Sequence, residues 1–306
     1  MGKILISIVG PTAMGKTSLA IKLAKYFKTE IISADSRQFF LEMEIGTAVP
    51  NKEELAIVPH HFIQHKSIFD PYSVGDFENE AITLLAKLFE KHDCVIMVGG
   101  SGLYVDAVTK GLDEFPDVDP SIRKNLNRLL KEKGIGELQN QLKLLDETHF
   151  ANMDIDNPHR LIRALEICIG TSKPYSSFLN KRKIRRPFRN ITIGLNADRE
   201  IIYDRINQRV DIMIEKGLLE EAKKVFPHRA LNALQTVGYK ELFNYFDGKW
   251  DLDFAISEVK KNTRRFAKRQ LTWYRKNEEI IWIDYDDSIE NIIKRIDKEI
   301  ITISNE

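Results

Sequence analysis

The chain has 306 residues, 43% of them hydrophobic, with 46 Lys and Arg against 45 Asp and Glu and a formal net charge of +1. That supports a sizeable core in one or two domains, and the global charge balance neither demands nor excludes nucleic acid, so local clustering must decide. Two unclustered cysteines, Cys94 and Cys168, argue against a disulfide framework and for a reducing cytoplasm, and neither a signal peptide at Met1-Gly2-Lys3 nor an apolar run of about 18 residues that could span a membrane is expected.

Residues 3–9 are apolar and β-branched and predict a buried strand. Gly10-Pro11-Thr12-Ala13-Met14-Gly15-Lys16-Thr17 then fits the phosphate-loop pattern G-x-x-x-x-G-K-S/T. Residues 18–27 follow with Leu19, Leu23 and Phe27 four apart, an amphipathic helix. Strand, glycine loop and helix N-terminus together make an anion site. Backbone N–H groups converge there, Lys16 can reach an outer phosphate, and the Thr17 hydroxyl can hold Mg²⁺. The pattern implies a polyphosphate or pyrophosphate and does not say whose.

Further strands are predicted at 30–34, 61–65, 94–98, 191–196 and 280–284, and helices at 16–27, 74–91 and 102–110. Continuous apolar strands alternating with helices predict a doubly wound parallel α/β sheet. Residues 113–119 read as a linker, and no clear strand appears from 120 to about 179, where helices are expected at 120–133, 136–145 and 158–169. The predicted organisation is a P-loop core of residues 1–117 and 188–306 with an all-helical insertion at 118–187. Helices at 199–216 and 251–276 dominate the last third.

Asp35, in Ser33-Ala34-Asp35-Ser36, follows the second strand. Ligands bind beyond the carboxyl ends of parallel strands, so Asp35 is expected to face the phosphate loop, as Mg²⁺ ligand or general base; capping the next turn is the alternative. Val98-Gly99-Gly100-Ser101-Gly102 ends another core strand, either as a ligand-contacting turn or as a tight connection. Lys260 to Lys276 carries eight cations with Phe266, Trp273 and Tyr274 among them, and residues 181–189 are more basic still. Such stripes suit a phosphate backbone with unstacked bases, or else a solvated helix face and a charged linker. His60, His61 and His65 lack a carboxylate or cysteine at ligand spacing, which favours strand-edge roles over a metal.

Six segments together resemble the tRNA dimethylallyltransferase (tRNA isopentenyltransferase) family: GPTAMGKT at 10–17, SADS at 33–36, EIGTAVP at 44–50, VGGSGLY at 98–104, NPHRLIRALE at 157–166 and TRRFAKRQLTW at 263–273. They span nearly the whole chain in the family's order. The resemblance implies transfer of a dimethylallyl group from its diphosphate to the exocyclic amine of the adenosine 3′ of the anticodon. It further implies a cytoplasmic, monomeric enzyme with no obligate protein partner and no membrane contact. The loop from Gly10 to Thr17 would hold the diphosphate, with Thr17 near Mg²⁺; ATP would compete there rather than react. By the same resemblance Asp35 is the general base and Arg209 neutralises the leaving diphosphate. Asp35, Ser36, Arg37, Gln38, Ser101, Arg123, His159, Arg160, Leu161, Ile162, Arg163, Lys268, Arg269, Gln270 and Trp273 fall where the family meets the tRNA anticodon stem-loop.

Departures are mild: Met14 stands where a small residue is usual, Phe40 where Tyr is common and Val49 where Lys is common, and no cysteine/histidine zinc finger precedes Glu306. Three other readings stay open: a small-molecule kinase, a prenyltransferase of free adenine nucleotides, and a non-catalytic RNA-binding ATPase. The first gives the basic clusters no role, and the second gives the helical insertion none.

Overall fold

Six strands form one fully parallel sheet in the computed structural model, which describes residues 2–179 and 185–304. In chain order the elements of the first half are β1 (Ile4–Val9), α1 (Lys16–Phe27), β2 (Ile31–Ser33), α2 (Lys52–Ile57), β3 (His60–His61), α3 (Val74–Lys91), β4 (Cys94–Val98) and α4 (Gly102–Lys110). The helices α5 (Pro120–Lys133), α6 (Ile135–Leu145), α7 (Glu147–Asn152) and α8 (Pro158–Thr171) follow. The chain then returns through β5 (Arg189–Asn196), α9 (Arg199–Glu215), α10 (Leu218–Val225), α11 (Tyr239–Phe246), α12 (Leu252–Tyr274), β6 (Ile281–Asp284) and α13 (Ile289–Ser304).

The strand order is β3-β2-β4-β1-β5-β6, with β1 central: Ile6 lies opposite Ile96 of β4 on one side and Ile191 of β5 on the other. Alternate side chains of each strand feed two cores. Leu5, Val9, Val95 and Met97 join α3, α4 and α10 to α12, whereas Ile4, Ile6, Ile8, Ile191 and Ile193 join α1, α9 and α13. Both faces are covered, which is why the strands read as unbroken apolar runs. A large side chain such as Ile6, fully buried here, contributes about 1.5–3 kcal/mol by its removal from water.

The third strand is shorter than the sequence suggests. It ends at His61, because Phe62 and Gln64 take left-handed φ values of 61° and 45°. Gln64 and His65 then donate to the Gln38 and Phe39 carbonyls outside the sheet. His61 pairs with Glu30 at 2.7 Å, and His60 Nδ1 lies 2.7 Å from the Val58 carbonyl; no three metal-ligating side chains cluster among the described residues.

The chain divides into two units. The first holds the sheet and its helices, and the second is Gly111–Arg185. The helical unit has its own core of Leu126, Leu138, Leu142, Leu161, Ile162, Leu165 and Cys168. Its boundary lies earlier than expected because the segment read as a linker carries Phe115, whose ring stacks on Tyr175 at 4.7 Å. Both cysteines are free and buried. No helix among the described residues is long and apolar enough to cross a membrane.

Candidate active site

The loop between β1 and α1 turns by placing Gly10, Ala13 and Gly15 at φ of 132°, 66° and 82°. A Cβ on Gly10 would come within 2.7 Å of the Leu195 carbonyl oxygen, so space as well as φ demands glycine there. Ala13 sits in the left-handed region, and its carbonyl oxygen is held by Arg205 Nε at 2.8 Å. Gly15 caps α1 without any side-chain hydrogen bond, and the first turn contains no acidic residue. The terminal N–H groups and the positive end of the helix dipole are thus left for an anion.

Lys16, Asp35 and Arg209 converge beside this loop from three separate elements. Lys16 Nζ donates to the Pro11 carbonyl at 2.7 Å. Burial pushes its pKa down to about 8; the Asp35 carboxylate opposes that shift and the Arg209 guanidinium adds to it. Burial also lowers the pKa of Arg209, again against the pull of Asp35. Arg209 makes no hydrogen bond among the described residues, so its charge is free for a ligand. Asp35 Oδ1 accepts the Arg37 N–H at 3.1 Å, and its other oxygen has no partner among the described residues. Asp35 therefore shapes the turn and still presents a free carboxylate oxygen.

Asp35 and Arg209, the two groups that act on Lys16, line one cavity of about 780 Å³. Its polar end is formed by Thr12, Asp35, Gly100, Arg209 and Gln270; Val210, Met213, Leu218, Val259 and Phe266 supply an apolar wall. A charged donor end beside an apolar wall suits an amphiphilic diphosphate. Thr17 is half-buried, and its hydroxyl makes no hydrogen bond among the described residues. A Mg²⁺ held mainly by substrate phosphates needs only one or two protein oxygens, and the unpaired Thr17 hydroxyl could supply one.

The residues expected to meet RNA divide into two groups. Lys268 and Arg269 are exposed on α12, and Trp273 is 39% exposed, its indole N–H donated to Asp106 at 3.0 Å. Ser36 and Ser101 bind one another at 3.0 Å, joining the turns after β2 and β4. Arg37 donates to the Asn232 and Ala233 carbonyls at 3.1 and 2.9 Å. Gln38 and Gln270 are buried instead: Gln38 binds the Thr47 and Ala48 carbonyls, and Gln270 bridges Thr12 and Gly100. Their amides face the scaffold because their helix or turn presents that position inward.

In the helical unit His159 and Arg160 are exposed at the start of α8, whereas Leu161 and Ile162 lie in the core on the face that Leu165 continues four and three residues on. Arg123 forks onto the buried Glu166 at 2.9 and 2.6 Å, and Arg163 joins it at 3.0 Å.

The basic runs are also less free than their sequence. Lys260 pairs with Asp211 and Lys261 with Glu258, and Arg264 and Arg265 donate to Asn207 and Asn262, while Lys268, Arg269, Arg275 and Lys276 have neither ion pair nor side-chain hydrogen bond among the described residues. In the second run, residues 181–184 lie outside the described residues, and Arg186 is half-buried and donates to Glu78 and the Ala107 carbonyl.

Sequence reasoning passed over Arg205 as the brace of Ala13. It also passed over Glu221, which accepts the N–H groups of Glu44, Ile45 and Gly46 and so holds the turn that lines the cavity at Gly46 and Thr47. A lone Glu on an amphipathic helix carries no local signal for this.

Comparison with known proteins places the chain among relatives. Residues 38–277 match the family model described as IPP transferase. A tRNA dimethylallyltransferase of Christiangramia forsetii is 65% identical over 302 residues, covering 99% of this chain and 100% of that protein. The crystal structure of a tRNA isopentenylpyrophosphate transferase from Bacillus halodurans superposes with a TM-score of 0.71 at 38% identity, covering 99% and 96% of the two chains. A eukaryotic dimethylallyltransferase acting on tRNA gives a TM-score of 0.79 at 26% identity, over 99% of this chain and 79% of that one. The phosphate loop at the switch point of a parallel sheet, the charged groups facing it and these matches lead to one conclusion: the chain belongs to the IPP transferase family.

Proposed function

We propose that this protein moves the dimethylallyl group of dimethylallyl diphosphate onto the exocyclic N6 amine of the adenosine 3′ of the anticodon in tRNA, in the cytoplasm. The observation that carries this reading is that Asp35 and Arg209, which also act on the phosphate-loop Lys16, line one cavity together with apolar side chains. The relatives' names support it, among them the dimethylallyltransferase acting on tRNA.

The residues divide the chemistry between them. The α1 N-terminus, Lys16 and Arg209 take the diphosphate, and the apolar wall takes the prenyl tail. In the transfer the N6–C1 bond forms and the C1–O bond to the diphosphate breaks, the bonding pair leaving with the diphosphate. The free oxygen of Asp35 receives the proton that N6 loses. Charge grows on the departing oxygens, where Lys16 and Arg209 stabilise it most. A Mg²⁺ held by Thr17 and the phosphates would add further neutralisation of that leaving group. The acceptor base must leave its stack to enter the cavity. Arg269 and Trp273 at its rim, with Lys268 on the same helix, supply charge and a stacking surface for RNA, and the exposed Arg160, with His159 beside it, offers a further contact in the helical unit.

The test is incubation of the protein with unmodified tRNA, Mg²⁺ and either dimethylallyl diphosphate or ATP, followed by nucleoside mass spectrometry. Prenylated adenosine is expected with the allylic donor alone. ADP release from ATP at a comparable rate, without prenylated product, would establish the kinase reading instead.

A further inference from the structure

Gln270 and Glu241 are the two buried polar side chains lining the cavity. Gln270 lies on the inward face of α12, between the buried Ala267 and Tyr274, and is itself 6% exposed. Its Oε1 accepts the Thr12 N–H at 2.9 Å, and its Nε2 donates to the Gly100 carbonyl at 2.9 Å. Thr12 is the third residue of the phosphate loop, and its N–H is one of the donors such a loop offers to phosphate oxygens. A Cβ placed on Gly100 would lie 2.2 Å from Gln270 Nε2 and 3.9 Å from Lys16 Nζ, so the carboxamide stands on the side of the loop where the lysine ends.

In a loop of this kind the backbone cradles the inner phosphates and the lysine reaches the outer ones. The outermost phosphate of a triphosphate would therefore need the region that this amide fills. We propose that the Gln270 carboxamide occupies the place of a third phosphate and so sets the loop to accept a diphosphate and reject a triphosphate.

The backbone of a phosphate loop cannot make this choice, because it reads phosphate oxygens and not the length of the chain they belong to. A side chain fixed across the loop can. Expelling it would strip partners from the Gly100 carbonyl and from a buried amide, and a triphosphate restores neither. Helix α12 cannot readily move the amide aside, since Ala267 and Tyr274 anchor the turns before and after it. The same helix carries Lys268 and Arg269 outward, so one element provides cations for RNA and discrimination for the donor.

This proposal rests on the diphosphate reading of the loop. The experiment measures binding of inorganic pyrophosphate and inorganic tripolyphosphate, each with excess Mg²⁺, by calorimetry on the full chain. Wild-type protein is expected to prefer pyrophosphate, and Gln270→Ala to lower the pyrophosphate-to-tripolyphosphate affinity ratio by roughly tenfold, the scale of removing one buried hydrogen bond. A ratio in Gln270→Ala within about threefold of wild type would overturn the proposal. Should that variant not fold, Gln270→Asn, too short to span both partners, carries the test with the same two outcomes. A wild-type protein that prefers tripolyphosphate would overturn the diphosphate reading itself, and with it this inference.

Discussion

Trp273 of α12 donates its indole N–H to Asp106 of α4 across 3.0 Å, and a Cβ on Gly102 would meet its ring at 2.4 Å. The ring is thereby fixed at the cavity rim with one side partly open. Trp273→Ala is expected to weaken binding of an anticodon stem-loop RNA by ~1–3 kcal/mol, the worth of one base stacked on an aromatic ring. Gly102→Ala should weaken it in the same direction, since it displaces the ring without removing it. Fluorescence anisotropy with labelled RNA reads both; unchanged affinity in both would take Trp273 off the RNA surface.

Asp35→Ala should lower turnover about 10²–10⁴-fold, the usual contribution of a positioned general base. Its tRNA affinity should change little, because the backbone and not the carboxylate carries the neighbouring turn's other bonds to Ser101. Single-turnover rates and RNA binding, measured side by side, check the two halves of that statement.

Arg209→Ala should slow the chemical step by roughly 10²–10³-fold, as expected when one stabiliser of developing negative charge is removed. The guanidinium has no hydrogen bond to lose among the described residues, so the fold should keep its melting temperature. If only RNA affinity fell, Arg209 would belong to the RNA surface.

Lys16 predicts a pH dependence. Burial puts its folded pKa at about 8, below the ordinary 10.5, so the free protein carries this charge below pH 8 and loses it above. Pyrophosphate affinity should therefore fall as pH rises through about 8, with proton uptake on binding above that value. Calorimetry in buffers of different ionisation enthalpy measures the uptake, and Lys16→Met should abolish it. For stability without ligand the slope is positive: the unfolded chain binds more protons between about 8 and 10.5, so the cost of burying Lys16 is full below pH 8 and is relieved towards 10.5.

The salt dependence of tRNA binding should separate free from paired cations. Replacing Lys268 and Arg269 together by Ala should flatten the log–log slope by ~1.4–1.8, at ~0.7–0.9 for each phosphate left without its cation. Arg186→Ala should leave the slope unchanged and instead destabilise the fold by about 3–5 kcal/mol, because it strands Glu78 without its cation.

Much of this protein is legible locally. The strand–loop–helix at Ile4–Phe27 follows from an apolar run, a spaced pair of glycines and a 3.6-residue apolar period, all within reach of one another in sequence. The same holds for α3, whose Ser73 and Asp76 cap each other across three residues, and for α5 and α8, each opened by a proline. Asp35 is expected at the loop because the carboxyl ends of parallel strands share one edge, a rule of topology that needs no coordinates.

Position on an inward or outward face was decided only by packing over long separations. Gln270 sits in a run of cations and reads as surface, yet it reaches Thr12 across 258 residues. Arg186 reads as part of a basic stripe and is paired with Glu78, 108 residues away. The sequence alone determined most of the core strands and the strand–loop–helix at Ile4–Phe27, because backbone preference and apolar period act over a few residues. Which polar side chains turn inward to brace or restrict that loop was decided by the tertiary structure, because a buried amide or guanidinium keeps its place only where a distant partner satisfies it.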